Sequence, residues 1–232
     1  MNPQTLDHVA LWVADRDSIA EFVTRHLGMH VIERTDAFTL VGADARRGKL
    51  TLFAAEGPRE PAPLKHVAFR VSDLERAERE LPSDLELERR GKAIYFDVRE
   101  GLRLGLVEEP TDSDYDLDHV ALWSRSPAET ARAYETLGFR PAEPAASGTP
   151  RVEVGGAFVE FHQGDGAQPE RPLLNHLAAL VDSAEEHISA AEESGLEIAN
   201  VVDAPNTYAV FVWGPEGVKI EYVEQKPTFS LT

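Results

Sequence analysis

Residues 6–12 read Leu-Asp-His-Val-Ala-Leu-Trp, and residues 117–123 repeat the same seven letters. Chance identity over seven positions is remote in a chain of 232 residues, so the chain is read as a duplication. His8 and His119 stand 111 residues apart, close to half the length. A fainter echo lies inside each half: Leu-Lys-His-Val-Ala-Phe at 64–69 and Leu-Asn-His-Leu-Ala-Ala-Leu at 174–180. The steps from His8 to His66 and from His119 to His176 are 58 and 57 residues. Any fold must therefore accommodate four copies of one small unit.

Each unit follows one grammar. A short alternating apolar run carries the histidine and reads as a strand. An Asp or Ser then precedes a helical stretch, at Asp15–His26, Asp73–Glu80, Ser126–Thr136 and Ser183–Ser194. Gly28, Pro82, Gly138 and Gly195 end these stretches. Strand-like runs follow, among them Lys49–Ala54, Ala93–Val98, Leu102–Val107, Ala157–His162, Tyr208–Trp213 and Val218–Val223. The fold class is α+β, built from four βαβββ modules. The acidic, polar segment Glu108–Tyr115 reads as a linker. We therefore expect consecutive pairing, with modules one and two in residues 1–110 and modules three and four in residues 111–232.

Composition narrows the partners. The formal net charge of −18 repels phosphate backbones and anionic headgroups, which argues against nucleic acid and membrane surfaces. There are no cysteines, so disulfides, thiolate metal sites and a cysteine nucleophile are excluded. Met1–Asp7 has no apolar signal core, and no run approaches the roughly 18 apolar residues of a membrane helix. The expectation is a cytoplasmic protein acting on a small molecule.

The chemistry lies where the modules differ. Their opening strands supply His8, His66, His119 and His176. Glu221 interrupts the apolar strand Val218–Tyr222, and Glu160 interrupts Ala157–Phe161. In the first two modules, Leu52 and Gly105 are read at those places. The second half thus keeps His119, Glu160, His176 and Glu221, and the first half reads as degenerate. Acids inside apolar strands are costly to bury unless paired or metal-bound. Two imidazoles and a carboxylate suit Fe, Mn, Zn or Ni, and the two-His-one-carboxylate set is used by non-haem Fe(II) oxygenases. A fourth protein ligand, Glu160, would instead suit Lewis-acid chemistry on a chelating substrate. His162 shares a strand face with Glu160 and is a candidate acid/base. Tyr208 is a second one, although aromatics such as Tyr208 and Trp213 are more often core residues. His8 and His66, without carboxylate partners, read as inherited strand residues satisfied by hydrogen bonds.

Three segments carry a family resemblance: the Asp-His-Val-Ala-Leu opening, Leu-Gly-Phe at 137–139, and Gly-Pro-Glu-Gly-Val-Lys-Ile-Glu at 214–221. Together they resemble the vicinal oxygen chelate superfamily, which includes glyoxalase I, bleomycin-resistance proteins and extradiol ring-cleaving dioxygenases. The resemblance implies paired modules whose mixed sheets curve into half-barrels around one divalent metal ion. It implies Fe2+ first, with Mn2+, Zn2+ or Ni2+ as other choices, and a substrate that binds through two vicinal oxygens. Four modules in one chain resemble the type I extradiol dioxygenases, whose His, His, Glu set maps onto His119, His176 and Glu221. That mapping favours ring cleavage of a catechol-like substrate, with His162 or Tyr208 moving protons. Phe211 stands about where those enzymes carry a tyrosine. Glu160 fits the fourth ligand of a glyoxalase-like isomerase or lyase. A non-catalytic small-molecule binding (resistance) protein is the third alternative. A chain with four modules holds its own module partners, so monomer and homodimer are both compatible.

Overall fold

A computed structural model describes residues 1–44, 47–166 and 168–230. The first module holds β1 (Thr5–Val13), α1 (Arg16–His26), β2 (His30–Arg34), β3 (Phe38–Gly42) and β4 (Lys49–Ala54). The second holds β5 (Leu64–Val71), α2 (Leu74–Glu80), β6 (Glu88–Arg90), β7 (Ala93–Asp97) and β8 (Arg103–Glu108). The third holds β9 (Asp116–Ser124), α3 (Pro127–Glu135), β10 (Arg140–Pro141), β11 (Arg151–Val154) and β12 (Ala157–Gln163). The fourth holds β13 (Leu174–Leu180), α4 (Ala184–Glu193), β14 (Ile198–Asp203), β15 (Thr207–Trp213) and β16 (Lys219–Gln225). The βαβββ grammar is met four times.

The helices begin where the expected caps stand. Asp15, Asp73 and Ser183 accept from the backbone N–H three residues on, at 3.3, 2.8 and 3.2 Å. Each such bond is worth about 1 kcal/mol. Ser126 makes no such bond; Pro127 starts α3 instead with its pre-set φ. Gly28 and Gly138 then take positive φ values of 57° and 86°, which turn the chain back toward the sheet. Each helix buries a narrow apolar stripe, such as Ile19, Ala20 and Val23 on α1. Helices of neighbouring modules meet: the Phe22 ring of α1 lies 6.0 Å from Phe96, and His26 Nδ1 bonds the Glu80 carbonyl at 2.7 Å. No helix among the described residues is long and apolar enough to cross a membrane.

The modules form two mixed eight-stranded sheets. The first runs β14-β15-β16-β13-β1-β4-β3-β2, and the second runs β10-β11-β12-β9-β5-β8-β7-β6. Pairing is therefore first module with fourth, and second with third. This corrects the consecutive pairing expected from the repeat. The identical heptapeptides record ancestry, but hydrogen-bonding partners are chosen by geometry. β1 pairs antiparallel with β13, and β9 with β5. The division near residue 110 is thus a seam of the repeat and separates no sheet. The first sheet curls until its edges meet: Asn206, after β14, donates to Glu33 on β2 at 3.3 Å.

The seams carry a repeated irregularity. Register shifts fall between Leu6 and His8, Leu64 and His66, His119 and Leu117, and His176 and Leu174. The residue skipped is always the one before the histidine: Asp7, Lys65, Asp118 or Asn175. A bulge of this kind turns two successive side chains toward one face of the sheet.

This topology predicts the behaviour of fragments. Residues 56–172 form one contiguous stretch containing the whole second sheet, and should unfold in urea as a single cooperative transition. Residues 1–110 contain half of each sheet, with β1 and β5 unpaired along their inner edges, and should aggregate or lack a cooperative transition. Two-state unfolding of the 1–110 fragment as a monomer would contradict the pairing.

Candidate metal centre

Three ligand atoms converge inside the first sheet. His8 Nε2 and His176 Nε2 are 3.1 Å apart. Glu221 Oε2 lies 3.2 Å from His8 Nε2 and 2.9 Å from His176 Nε2. Among the described residues this is the one group of three such side chains with ligand atoms all within 4.8 Å of one another. The antiparallel β1–β13 seam supplies both imidazoles, and β16, parallel to β13, supplies the carboxylate beside Ala178.

The bulges fix the tautomers. His8 Nδ1 bonds Asp7 Oδ2 at 2.8 Å, and His176 Nδ1 bonds Asn175 Oδ1 at 3.2 Å. Both partners are acceptors, so each Nδ1 carries a hydrogen and each Nε2 is the nitrogen turned inward. Asp7 is itself held by the buried Lys49 ammonium at 2.6 Å and by Gln225 at 3.1 Å. Carboxylate or amide support behind a histidine is the usual way a ligating imidazole is aimed.

The electrostatics ask for positive charge at the centre. Burial would raise the Glu221 carboxyl, yet the adjacent His176 and His8 imidazoles hold it well below the usual carboxylate range. Burial would lower His8, yet Asp7 and Glu221 push it up to about 9. Burial keeps His176 below the usual imidazole value. Glu221 Oε2 is buried with no donor in hydrogen-bonding geometry among the described residues. Two inward Nε2 atoms and one buried carboxylate oxygen are a donor set that fits a divalent cation, whose binding would release the proton from His8.

The fourth place is not acidic. Ala178, two residues after His176, faces Glu221; Ala10, two residues after His8, faces Thr51. Thr51 is therefore the counterpart of Glu221. Leu52, expected there from the sequence, lies one residue out of register, opposite Leu11 in the buried core. A one-residue slip exchanges the two faces of a strand.

The expected quartet is divided between the sheets. His176 and Glu221 lie in the first. His119 and Glu160 lie in the second, where His66 Nε2 approaches His119 Nε2 at 2.8 Å. Glu160 Oε2 stays 4.0 Å from His119 Nε2 and bonds His162 Nε2 at 3.3 Å. His162 thus belongs to the second cluster and not to the His176 centre. Tyr208 faces away from both: its hydroxyl donates to Glu185 at 3.0 Å on the exposed side of α4. His8 and His66, read from sequence as satisfied strand residues, each sit within such a cluster. Gly105 does stand opposite Ala68 as the counterpart of Glu221, and the Tyr95 ring occupies the space, 2.7 Å from where a Cβ would be. The supporting residues Asp7 and Asn175 were not singled out from sequence, although comparing the residue before each histidine shows Asp, Lys, Asp and Asn.

Aromatic rings wall the first centre. Phe211 meets the His176 ring edge-on at 5.0 Å, Phe53 lies 6.2 Å from it, and Phe38 and Trp12 pack on Phe53 at 5.6 and 5.3 Å. Ala178, Ala209 and Val223 form an apolar floor beside Phe211.

Two predictions follow the geometry. Replacing Asn175 by Ala should weaken Mn2+ binding about 10–100-fold in calorimetric titration, while His119→Ala should leave the first site's affinity within about twofold. Asp118, paired with His119 and Arg70, is held at about 2 against its burial. A folded value below the unfolded one of about 3.9 adds stability above that value and loses it as pH falls toward 2. Asp118→Asn should therefore flatten the fall in melting temperature between about pH 4 and pH 2.

Residues 5–84 match the family model of the Glyoxalase/Bleomycin resistance protein/Dioxygenase superfamily. No curated protein matches the sequence. Among solved structures, a putative dioxygenase from Bacillus subtilis aligns with a TM-score of 0.78 at 16% identity, over 97% of this chain and 86% of that one. Glyoxalase I from Zea mays aligns with a TM-score of 0.76 at 15% identity, over 95% and 92%. The cppA protein from Streptococcus pneumoniae aligns at 0.64 and 15%, over 96% and 99%. At these identities the likeness is one of fold. The family match thus covers the first module and the opening of the second, and over that stretch the chain is similar to the Glyoxalase/Bleomycin resistance protein/Dioxygenase superfamily.

Proposed function

We propose that the protein is a metal-dependent dioxygenase of the extradiol type, acting on a small catechol-like substrate at the His8–His176–Glu221 centre. The observation that carries this reading is the count of three ligands with Thr51 in the fourth place. Two imidazoles and one carboxylate leave several positions free on one side of a bound ion. When bound, the divalent ion, Fe2+ in this reading, supplies a Lewis acid for two neighbouring substrate oxygens.

The chain's own residues do the rest. Asp7 and Asn175 hold the imidazoles in the ligating tautomer. Phe38, Phe53 and Phe211 offer edges and faces to a flat ring, at the 4.5–7 Å spacings typical of aromatic pairs. Ala178 and Ala209 leave space beside Glu221, because larger side chains there would fill the floor. A glyoxalase-like isomerisation would need a mobile carboxylate base in the fourth place, and a threonine hydroxyl is far too weak a base for that task.

Two measurements test the reading. Protein loaded with Fe2+ under argon should consume oxygen in stoichiometric proportion to an added catechol, with a yellow ring-cleavage product. Tight Ni2+ or Zn2+ binding with no oxygen uptake across a catechol panel would overturn it. Thr51→Glu supplies the missing carboxylate; it should tighten divalent-metal binding at least about tenfold and lower oxygen consumption at least about tenfold.

A further inference from the structure

The second sheet encloses a cavity of about 720 Å³, inside the roughly 300–1,000 Å³ range of small-molecule sites. It occupies the same place between paired modules as the first centre, but its chemistry differs. We propose that this cavity is a separate anion site, which takes a small organic carboxylate without a metal ion.

The bulge residue sets the difference. Three modules place an acceptor before the histidine: Asp7, Asp118 and Asn175. The second module places Lys65 there, and an ammonium cannot accept from His66 Nδ1. Lys65 instead lies over the Trp123 ring, 4.7 Å from its centroid, and bonds His162 Nδ1 at 2.9 Å. His162 then presents Nε2–H to Glu160. This draws Glu160 toward His162 and away from the two facing imidazoles, while Arg151 stands 3.8 Å from its other oxygen. The carboxylate that would complete a cation site is already used.

Among the charged residues lining the cavity, Lys65, Arg70, Arg90 and Arg151 outnumber Glu109, Asp118 and Glu160 by one. Asp118 is engaged by Arg70 at 2.7 Å and by His119 at 2.5 Å. Lys65 has no carboxylate within ion-pair distance among the described residues, and an ammonium bonded once to His162 keeps two further donors. Arg90, which lines the cavity, and Arg103 each stand 6.0 Å from the Tyr95 ring; both pair with Glu88, and Arg103 also pairs with Asp97 at 3.1 Å. In a chain of net charge −18 this concentration of cations around a concave space is local and specific. Tyr95 and Phe158, with Val107, line the same cavity and supply an apolar seat. Cations at the rim and rings on the wall suit a carboxylate with an organic body better than a bare inorganic anion.

Benzoate is the probe, titrated calorimetrically into the full-length, chelator-treated protein at neutral pH, with inorganic phosphate and Mn2+ in parallel. Saturable one-to-one benzoate binding is expected. It should weaken about tenfold or more in Lys65→Gln and in Arg90→Gln, each of which removes a charged donor. Arg90 is 61% exposed, so that variant keeps the test open if Lys65→Gln unfolds. His176→Ala should leave the binding unchanged. The proposal is overturned by no saturation below about 10 mM, by loss of binding in His176→Ala, or by full affinity in both cavity variants. Phosphate binding as tightly as benzoate would overturn the organic-carboxylate assignment. A second Mn2+ equivalent abolished by His119→Ala would show a cation site in its place.

Discussion

Each sheet is held at its middle by two antiparallel opening strands, and both candidate sites depend on that seam. The β1–β13 pairing sets Ala10 opposite His176 and His8 opposite Ala178, so the two imidazoles approach across alanines. The β5–β9 pairing repeats this with His66 and His119. Larger residues at the alanine positions would push the rings apart. The bulge before each histidine adds the other half of the arrangement, because it turns the supporting side chain inward beside the ring it steadies. The seam is thus both the structural axis of the sheet and the source of its chemistry.

Local structure was legible in the sequence to a degree that long-range pairing was not. Asp15, Asp73 and Ser183 announced their helices because a cap is a contact over three residues. The strands Lys49–Ala54 and Ala157–Gln163 followed from apolar runs bounded by turns. His176 and Glu221 were recognisable as a pair because both lie in one module. Their third partner was not. His8 is 168 residues away from His176, and nothing in a single sequence states which of four similar strands will lie alongside which. The repeat itself misled here: identical heptapeptides suggested equivalent halves, whereas β1 and β9 hold equivalent places in different sheets. Thr51 was hidden for a smaller reason, since one residue of register separates an inward hydroxyl from a core leucine.

The two clusters show how little substitution changes the character of a site. Both keep two facing histidines and one glutamate. In the first, Asp7 and Asn175 aim the rings, Glu221 stays free of other partners, and the walls are aromatic. In the second, a lysine replaces one acceptor, His162 captures the glutamate, and arginines gather at the rim. A duplicated fold thereby holds two histidine clusters whose charged surroundings differ, in one small acidic chain.

The order in which the sheets can form follows from the pairing of first module with fourth. All strands of the second sheet are contiguous, so its seam can close soon after β12 has been synthesised. β1 must wait for β13 and β16, across a separation of more than two-thirds of the chain. Long-range closure of this kind is slow, because the loop entropy is lost before its contacts are gained. During translation the first module would remain a partner-less half-sheet resting on an already folded body. The His8–His176–Glu221 cluster is consequently the last feature of the molecule to be assembled, and a divalent ion held there would tie β1 to β13 and β16.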